Sequence, residues 1–235
     1  MMKTRLIFAV LLMMATFGAP AALIYSSGTL NAGIPDGNVN GYQNTMTISG
    51  LGSGQNVISD VNVTLNISGG YNGDLYVYLT HASGFSVLLN RTGRTAGDSF
   101  GYSDAGFNVT LNDSASTDVH LYGGNSGAQL TGTWQPDARN VDPATVTDGS
   151  TRGAYLSTFN GLDPNGTWTL FAADRAGGDQ STLVSWELEI TAVPEPTTVG
   201  LGIFGGLVVL GKALIWSRRK LRVRTGLKKK VSSLV

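Results

Sequence analysis

Hydrophobic and polar residues alternate with a period of two along several segments of this chain. Within residues 57–68, the apolar residues Val61, Val63, Leu65 and Ile67 are separated by single polar residues. In an extended strand, such alternation places the apolar side chains on one face and the polar side chains on the other. The pattern therefore predicts a β-strand whose apolar face is buried in a core.

Two further alternating segments contain tryptophan. Trp168 and Leu170 share one face of the first segment, and Trp186 and Leu188 share one face of the second. Residues 174–181, between the two segments, are rich in Gly and Asp, which is typical of a turn between antiparallel strands. We therefore predict an antiparallel pair whose tryptophans lie in the core.

Short strand-like segments with tight turns between them complete the pattern. They lie at residues 45–48, 75–79, 85–89 and 107–111. About eight strands with few helix-forming segments favour an all-β fold, and we predict a jelly-roll-like antiparallel β-sandwich. Residues 120–155 are less regular and are expected to form the longest loops.

Three aromatic residues of these strands, Tyr76, Tyr78 and Phe171, are expected to face away from the core, because their apolar neighbours face inward. Outward aromatic side chains on a sheet can stack on sugar rings or contribute to a protein interface. The alternative, which the sequence favours, is that the fold itself covers them with a loop or with a second sheet.

The N-terminal residues 1–21 have the composition of a secretory signal peptide. Lys3 and Arg5 precede an apolar run at residues 6–17, and small residues of the A-x-A type follow. The apolar run is shorter than a membrane-spanning helix requires. We predict that this segment directs export and is then removed; the alternative is an uncleaved amphipathic start.

A change in composition marks the end of the β domain, which we predict to span residues 22–192. Two prolines close together disfavour a continuing strand or helix. They belong to the segment Val193, Pro194, Glu195 and Pro196.

An apolar segment and a basic cluster follow. Residues 197–216 are uncharged up to Lys212 and are long enough to span a bilayer as a single helix. Arg218, Arg219 and Lys220 come directly after it. Because cations near a span favour the cytoplasmic side, residues 221–235 are predicted to be a basic cytoplasmic tail and the β domain to lie across the membrane.

The zero net charge of the chain hides an uneven distribution. All sixteen acidic residues lie between Asp36 and Glu195, where the only cations are five arginines, so this region carries eleven net negative charges. Such a surface repels phosphate backbones and argues against nucleic acid as a partner. The chain also has no cysteine, so neither disulfides nor thiolate metal sites stabilise the fold.

One series of residues in the β region carries a family resemblance: in order, 34–36, 58–67, 73–75, 83–84, 159–161, 166–170, Asp174 and 186–188. With this series, the β region resembles the P domain, the β-sandwich module that follows the catalytic domain of subtilisin-like proprotein convertases. The resemblance covers most of residues 24–192 and departs from the family at 90–155. It implies a jelly-roll-like sandwich that supports folding or recognition and is not itself catalytic.

The C-terminal segment 193–220 resembles the PEP-CTERM sorting signal of Gram-negative bacteria. The resembling features are Val-Pro-Glu-Pro, the apolar span and the basic cluster. They imply a membrane partner, an exosortase-type protease, and a protein that is anchored in the inner membrane and then sorted to the cell surface or the exterior. Lys212 inside the span and the length of the tail depart from the family, and a plain C-terminal anchor is the alternative.

Particular residues are compatible with two kinds of chemistry, hydrolysis and calcium binding. Ser126 lies in a Gly-Asn-Ser-Gly turn, and His81 and His120 are potential bases, so a small hydrolase is one hypothesis; an ordinary turn is the alternative, and we assign no catalytic residue. Thirteen aspartates and no lysine in the β domain are compatible with Ca²⁺, but no loop has a regular ligand spacing. The metal ligands of any calcium site therefore stay unknown.

Together these features predict an exported, non-enzymatic surface or extracellular-matrix protein that acts in adhesion or scaffolding. Its expected ligand is an exopolysaccharide or an envelope protein. The alternative function is an accessory module that binds a separate subtilisin-like protease or another envelope protein.

Overall fold

The computed structural model describes residues 22–51, 56–194, 205–213 and 215–216. The predicted signal peptide at residues 1–21 lies outside these residues and stays a prediction.

Ten β-strands form two sheets in the described part of the chain. In chain order the strands are β1 (Ala22–Ser26), β2 (Ala32–Gly33), β3 (Tyr42–Ile48), β4 (Asn56–Gly69), β5 (Leu75–His81), β6 (Gly84–Asn90), β7 (Gly106–Leu111), β8 (Leu130–Trp134), β9 (Gly166–Asp174) and β10 (Ser181–Pro194). The larger sheet has six strands in the order β1-β10-β4-β7-β8, with β2 also paired to β10, and the smaller has four in the order β3-β9-β5-β6. The predicted all-β sandwich is confirmed.

One hydrophobic core lies between the two sheets. The alternating apolar residues of β4, β5 and β7 contribute to it, and Trp168 and Trp186 are both 0% exposed. A buried indole N–H needs a hydrogen-bond acceptor. Trp168 Nε1 donates to the carbonyl oxygen of Pro164 at 3.1 Å, and Trp186 Nε1 donates to Oδ1 of Asn44 at 2.7 Å. The prediction that both tryptophans lie in the core is confirmed.

The prediction that the two tryptophan strands pair with each other is wrong. β9 pairs with β3 and β5 in the smaller sheet, whereas β10 pairs with β1, β2 and β4 in the larger one. The Gly-rich segment 175–180 therefore crosses from one sheet to the other. In this arrangement the apolar faces of β9 and β10 both point into the core. Two neighbouring strands of one sheet would also point their apolar faces into the core. The alternation of apolar residues alone therefore does not show whether two strands share a sheet.

One strand pair departs from the predicted antiparallel pattern. β7 and β8 are parallel, with Phe107 opposite Leu130 and Leu111 opposite Trp134, while the other pairs of named strands are antiparallel. A parallel pair requires a long crossover connection. The segment 112–129 supplies it and contains the short 3-10 turn Val119–Leu121.

Strand β10 extends two residues beyond the predicted end of the domain at residue 192. Val193 pairs with Val57 and Pro194 pairs with Asn56 of β4. Proline is tolerated there because the last residue of a strand does not have to continue the hydrogen-bond ladder.

The described residues also include helical positions at 205–213 and 215–216. None of the helices in the described part of the chain combines the length and the apolar composition that a bilayer crossing requires. The predicted span at residues 197–216 lies partly outside the described residues and stays a prediction.

Candidate functional site

A row of aromatic side chains lies on the outer face of the four-stranded sheet. Tyr78 of β5 stacks on Phe171 of β9 with ring centroids 4.7 Å apart, and on its other side its centroid lies 5.2 Å from that of Phe85 of β6. Tyr76 contacts both Tyr78 and Phe171, at 5.7 and 6.5 Å. The predicted outward direction of Tyr76, Tyr78 and Phe171 is therefore correct.

The fold covers this row at one end only. Phe171 is 8% exposed because the chain at Gly41 lies directly over its ring. A Cβ added at Gly41 would lie 2.7 Å from the Phe171 ring, and the positive φ of 54° at this position also favours glycine. Tyr76, Tyr78 and Phe85 are half-buried. The alternative that a loop covers the aromatics thus holds for Phe171.

The open end of the row leads to a cleft of about 420 Å³. It lies beside the β5–β6 turn and is bounded on the far side by the segment 140–158. Phe85 forms an aromatic part of its wall, and Val141 forms an aliphatic part. We call this feature the Phe85 cleft.

Internal hydrogen bonds fix the backbone behind the Phe85 cleft. The carbonyl oxygen of Ala138 accepts from the backbone N–H groups of Gly153 at 2.8 Å and Ala154 at 3.0 Å. The carbonyl oxygen of Ala154 in turn accepts from Val87 N and from Ser86 Oγ, each at 3.0 Å. The segment is therefore attached along β6, and the cleft is formed by ordered backbone on both sides.

The polar side chains around the Phe85 cleft are uncharged. Ser83, Asn140, Thr151 and Thr158 line it and are exposed. Within the described part of the chain, none of these four side chains makes an internal hydrogen bond. Hydroxyl and carboxamide groups both donate and accept, so they are available to a ligand.

Behind the cleft, by contrast, Arg139 and two aspartates form a buried charged network. Arg139 Nη1 lies 2.8 Å from Oδ2 of Asp118 and 3.2 Å from Oδ1 of Asp137. Arg139 Nη2 donates to the carbonyl oxygen of Asp148 at 3.0 Å. The side chains of Arg139 and the two aspartates are between 0 and 8% exposed. These groups hold the loops together and are not open to a ligand.

His120 belongs to the same network. Its Nδ1 lies 2.7 Å from Oδ2 of Asp137, and its Nε2 lies 3.0 Å from the carbonyl oxygen of Arg94. Both partners are acceptors, so the doubly protonated ring is the form that can donate to both. Burial alone would lower the pKa of His120, but the hydrogen bond to Asp137 and the attraction of its charge raise it above the ordinary value. With both nitrogens bonded and the side chain 0% exposed, His120 does not provide a free base.

Ser126, the candidate nucleophile, lies in a structural turn. Its turn is held by the Asp104 carboxylate, which accepts from the backbone N–H of Asn125 at 2.7 Å and of Gly127 at 2.6 Å. Tyr122 donates its hydroxyl to the same carboxylate at 2.8 Å. The Gly-Asn-Ser-Gly segment is therefore explained as a structural turn around a buried carboxylate.

His81 is equally occupied. Its two ring nitrogens lie 3.0 Å from the carbonyl oxygen of Thr167 and 2.7 Å from that of Asp163. Its ring stacks on Trp168 with centroids 4.0 Å apart. Neither histidine is brought to Ser126, and the hydrolase hypothesis receives no geometric support.

Asp74 and Asp174, both part of the P-domain-like series, lie at one end of the smaller sheet. Asp74 forms an ion pair with Arg91 at 3.1 Å and belongs to the 3-10 turn Asn72–Asp74, directly before β5. Asp174 is 0% exposed, and its Oδ2 has no hydrogen-bond partner within the described residues. Burial raises the pKa of Asp174 to about 6, and the charges of Asp74 and Asp36 contribute in the same direction.

These aspartates do not form a metal site as they stand. Among the described residues, no group of three or more His, Asp or Glu side chains is placed so that it could hold a metal ion. Calcium therefore stays a prediction without a location.

The predicted sorting residues are only partly described. Val193 and Pro194 end β10. Glu195, Pro196 and the basic cluster at 218–220 lie outside the described residues.

Sequence reasoning missed the Phe85 cleft. Phe85 was recognised only as a strand residue, and Asn140, Thr151 and Thr158 lie in the irregular region where no periodicity was available.

Comparisons with known proteins give a limited result. No family model matches the chain, and no curated protein matches it. Among solved structures, the chain is similar to one from the complex of Aeromonas sobria serine protease with its chaperone ORF2, with 15% identity, a TM-score of 0.41, and coverage of 75% of this chain and 27% of that one. It is also similar to the serine protease of Aeromonas sobria, with 17% identity, a TM-score of 0.41, and coverage of 74% and 27%. The chain thus spans about a quarter of the length of these neighbours, and a TM-score this low assigns neither family nor function.

Proposed function

We propose that this chain is an exported, non-catalytic recognition module that binds its ligand at the outer side of the four-stranded sheet. The observation that carries the proposal is a contrast between two sets of polar groups. Asp118, Asp137, Arg139 and His120 are consumed by buried internal bonds. Uncharged polar side chains without internal hydrogen bonds instead line the open Phe85 cleft, next to half-buried aromatic rings. Concave sites with apolar walls and a few polar groups are typical of ligand binding.

The two ends of the chain support a surface role. A signal peptide at residues 1–21 and a PEP-CTERM-like segment at 193–220 would export the β-sandwich, anchor it in the inner membrane and present it to an exosortase-type protease. In this proposal the mature protein acts in adhesion or scaffolding at the cell surface or in the extracellular matrix.

A blocking substitution tests the recognition surface. Thr151→Trp places a large side chain at the exposed rim of the cleft, and Thr133→Trp makes the same change at an exposed position of β8 on the other sheet. The full chain is expressed in a host that makes the exopolysaccharide and sorting system, and its retention in the surface matrix is measured. We expect T151W to be lost from the matrix and T133W to be retained. Equal retention of the two variants would reject the proposed surface.

A second candidate function is an accessory module for a separate subtilisin-like protease or another envelope protein. The observation that favours it is the placement of the P-domain-like residues: Trp168 and Trp186 lie in the core, and Asp74 fixes a turn through Arg91. The P-domain-like residues therefore stabilise the β-sandwich scaffold, as the resemblance implies. They do not indicate which partner the module binds.

Co-expression distinguishes this candidate. The full chain and a subtilisin-like protease from the same host are produced together, and the yield of active protease is compared with that obtained without the chain. A higher yield that depends on the chain supports the accessory role, and an unchanged yield argues against it.

A further inference from the structure

The Phe85 cleft has an uncharged lining inside a strongly acidic domain. None of its lining residues carries a charged side chain. The region from Asp36 to Glu195 nevertheless carries eleven net negative charges. A phosphate or carboxylate ligand would find no cation in the lining and would meet a repulsive field.

The cleft also does not offer a strand edge to a peptide. An extended peptide binds a sheet by adding hydrogen bonds to unpaired backbone groups of an edge strand. The backbone of β6 already bonds the chain behind the cleft: Val87 N donates to Ala154 O at 3.0 Å, and Ala138 N donates to Val87 O at 2.9 Å. Asp137 N donates to Leu88 O at 3.0 Å in the same stretch. Peptide recognition by strand addition is therefore blocked at Val87 and Leu88.

The remaining chemistry matches a neutral sugar ring. Such a ring presents C–H groups on its face and hydroxyl groups around its rim. The half-buried ring of Phe85 and the side chain of Val141 supply apolar contact for the face. Ser83, Asn140, Thr151 and Thr158 supply unbonded donors and acceptors for the hydroxyls.

The aromatic row extends this surface beyond a single sugar unit. From Phe85 the rings continue to Tyr78 at 5.2 Å and from Tyr78 to Tyr76 at 5.7 Å, and all three are half-buried on the same face. The row ends where the chain at Gly41 covers Phe171. A polymer lying on the sheet would therefore enter the cleft at Phe85 and pass over the tyrosines.

We propose that the Phe85 cleft is a binding subsite for an uncharged polysaccharide, with Phe85 as the stacking platform and Asn140 and Thr151 as hydrogen-bonding groups. This inference rests on the proposed recognition function and specifies its ligand class. The binding is reversible and involves no covalent step.

The test measures binding of the detergent-solubilised full chain to mannan, cellulose and curdlan, which are neutral, and to alginate and hyaluronate, which are acidic. The double variant N140A/T151A removes two exposed side chains that make no internal hydrogen bond, so the fold is retained. The control T131A/T133A places two alanines at exposed positions of β8 on the other sheet. Tryptophan fluorescence checks that both variants are folded.

We expect binding to at least one neutral polymer, a loss of about tenfold or more in affinity for N140A/T151A, and unchanged affinity for T131A/T133A. Binding to none of the neutral polymers, or equal affinity of the two double variants, overturns the inference. If an acidic polymer or a subtilisin-like protease binds instead and N140A/T151A weakens that binding, the sugar inference is also overturned. That result would leave the proposed recognition surface intact and change only its ligand. Retention of T151W in the surface matrix would instead reject the proposed recognition surface.

Discussion

At the residue scale, two buried ionisable groups, His120 and Asp174, affect the stability of the fold. His120 is held between the Asp137 carboxylate and the Arg94 carbonyl, and Asp174 has one buried carboxylate oxygen without a partner. Both groups have a raised pKa, but for different reasons: attraction to Asp137 outweighs burial at His120, and burial dominates at Asp174. The two groups therefore affect stability in different pH windows.

The raised pKa of His120 predicts a loss of stability at alkaline pH. A group whose pKa is higher in the folded state stabilises the fold fully below its unfolded pKa, near 6.5, and this contribution is lost as the pH rises through the folded value. We expect the free energy of unfolding of the wild type to fall as the pH increases above neutrality. In His120→Gln this fall should disappear, and the overall stability should be lower by about 2 to 4 kcal/mol at pH 6. Urea denaturation from pH 6 to 10 measures both effects, and an unchanged pH profile in the variant would contradict the assignment.

Asp174 gives the opposite result on substitution. With a pKa raised from 3.8 to about 6, the protonated form is favoured in the folded state, and its stabilising contribution is lost as the pH rises from about 4 to about 6. Asp174→Asn keeps the shape and removes the charge. We expect this variant to be more stable than the wild type at pH 8, by about 2 to 3 kcal/mol, and nearly equal to it at pH 4.

The comparison is made by urea denaturation at both pH values, with and without Ca²⁺. A variant that is less stable at pH 8, with a wild type that Ca²⁺ stabilises, would contradict this account. It would show that the Asp174 carboxylate is ionised beside a bound cation.

At the element scale, alternation identified the strands but not their partners. The inward residues of β4, β5 and β7 and both tryptophans were predicted correctly, because burial of one face dictates a period of two. The segment 175–180 has ordinary turn chemistry, and turn residues do not reveal whether the next strand lies in the same sheet or the opposite one. β8 was missed because Thr131, Gly132 and Thr133 are exposed and carry no apolar alternation. The site was missed for a related reason, since the residues of the Phe85 cleft come from a turn and an irregular segment.

The loop that covers Phe171 should be sensitive to a single methyl group. A Cβ at Gly41 would lie 2.4 Å from the carbonyl oxygen of Ala172 and 2.7 Å from the Phe171 ring, whereas a Cβ at Gly28 would meet nothing within 4 Å. Both glycines have positive φ, so backbone strain lowers the free energy of unfolding of each Ala variant by about 1 kcal/mol. We expect Gly28→Ala to cost only this amount and Gly41→Ala to cost roughly 3 kcal/mol. Thermal or urea unfolding compares them, and equal losses would show that the loop does not pack on the ring.

At the scale of the whole molecule, an acidic β-sandwich lies between two apolar, cation-flanked ends of the sequence. Its larger sheet has an outer face of polar pairs such as Thr64 and Thr110, whose hydroxyl oxygens lie 3.1 Å apart. Its smaller sheet has the aromatic row and the Phe85 cleft. The two outer faces therefore differ in chemistry, and the proposed recognition function belongs to the outer face of the smaller sheet.

Hydrogen–deuterium exchange of the full chain, with and without the neutral fraction of the host's exopolysaccharide, tests this assignment most directly. Protection of a backbone amide on ligand binding locates the contact surface. We expect added protection at residues 83–87 and 140–158, with no change in β1 or β8. Protection confined to β1 or β8, or no protection anywhere, would contradict it.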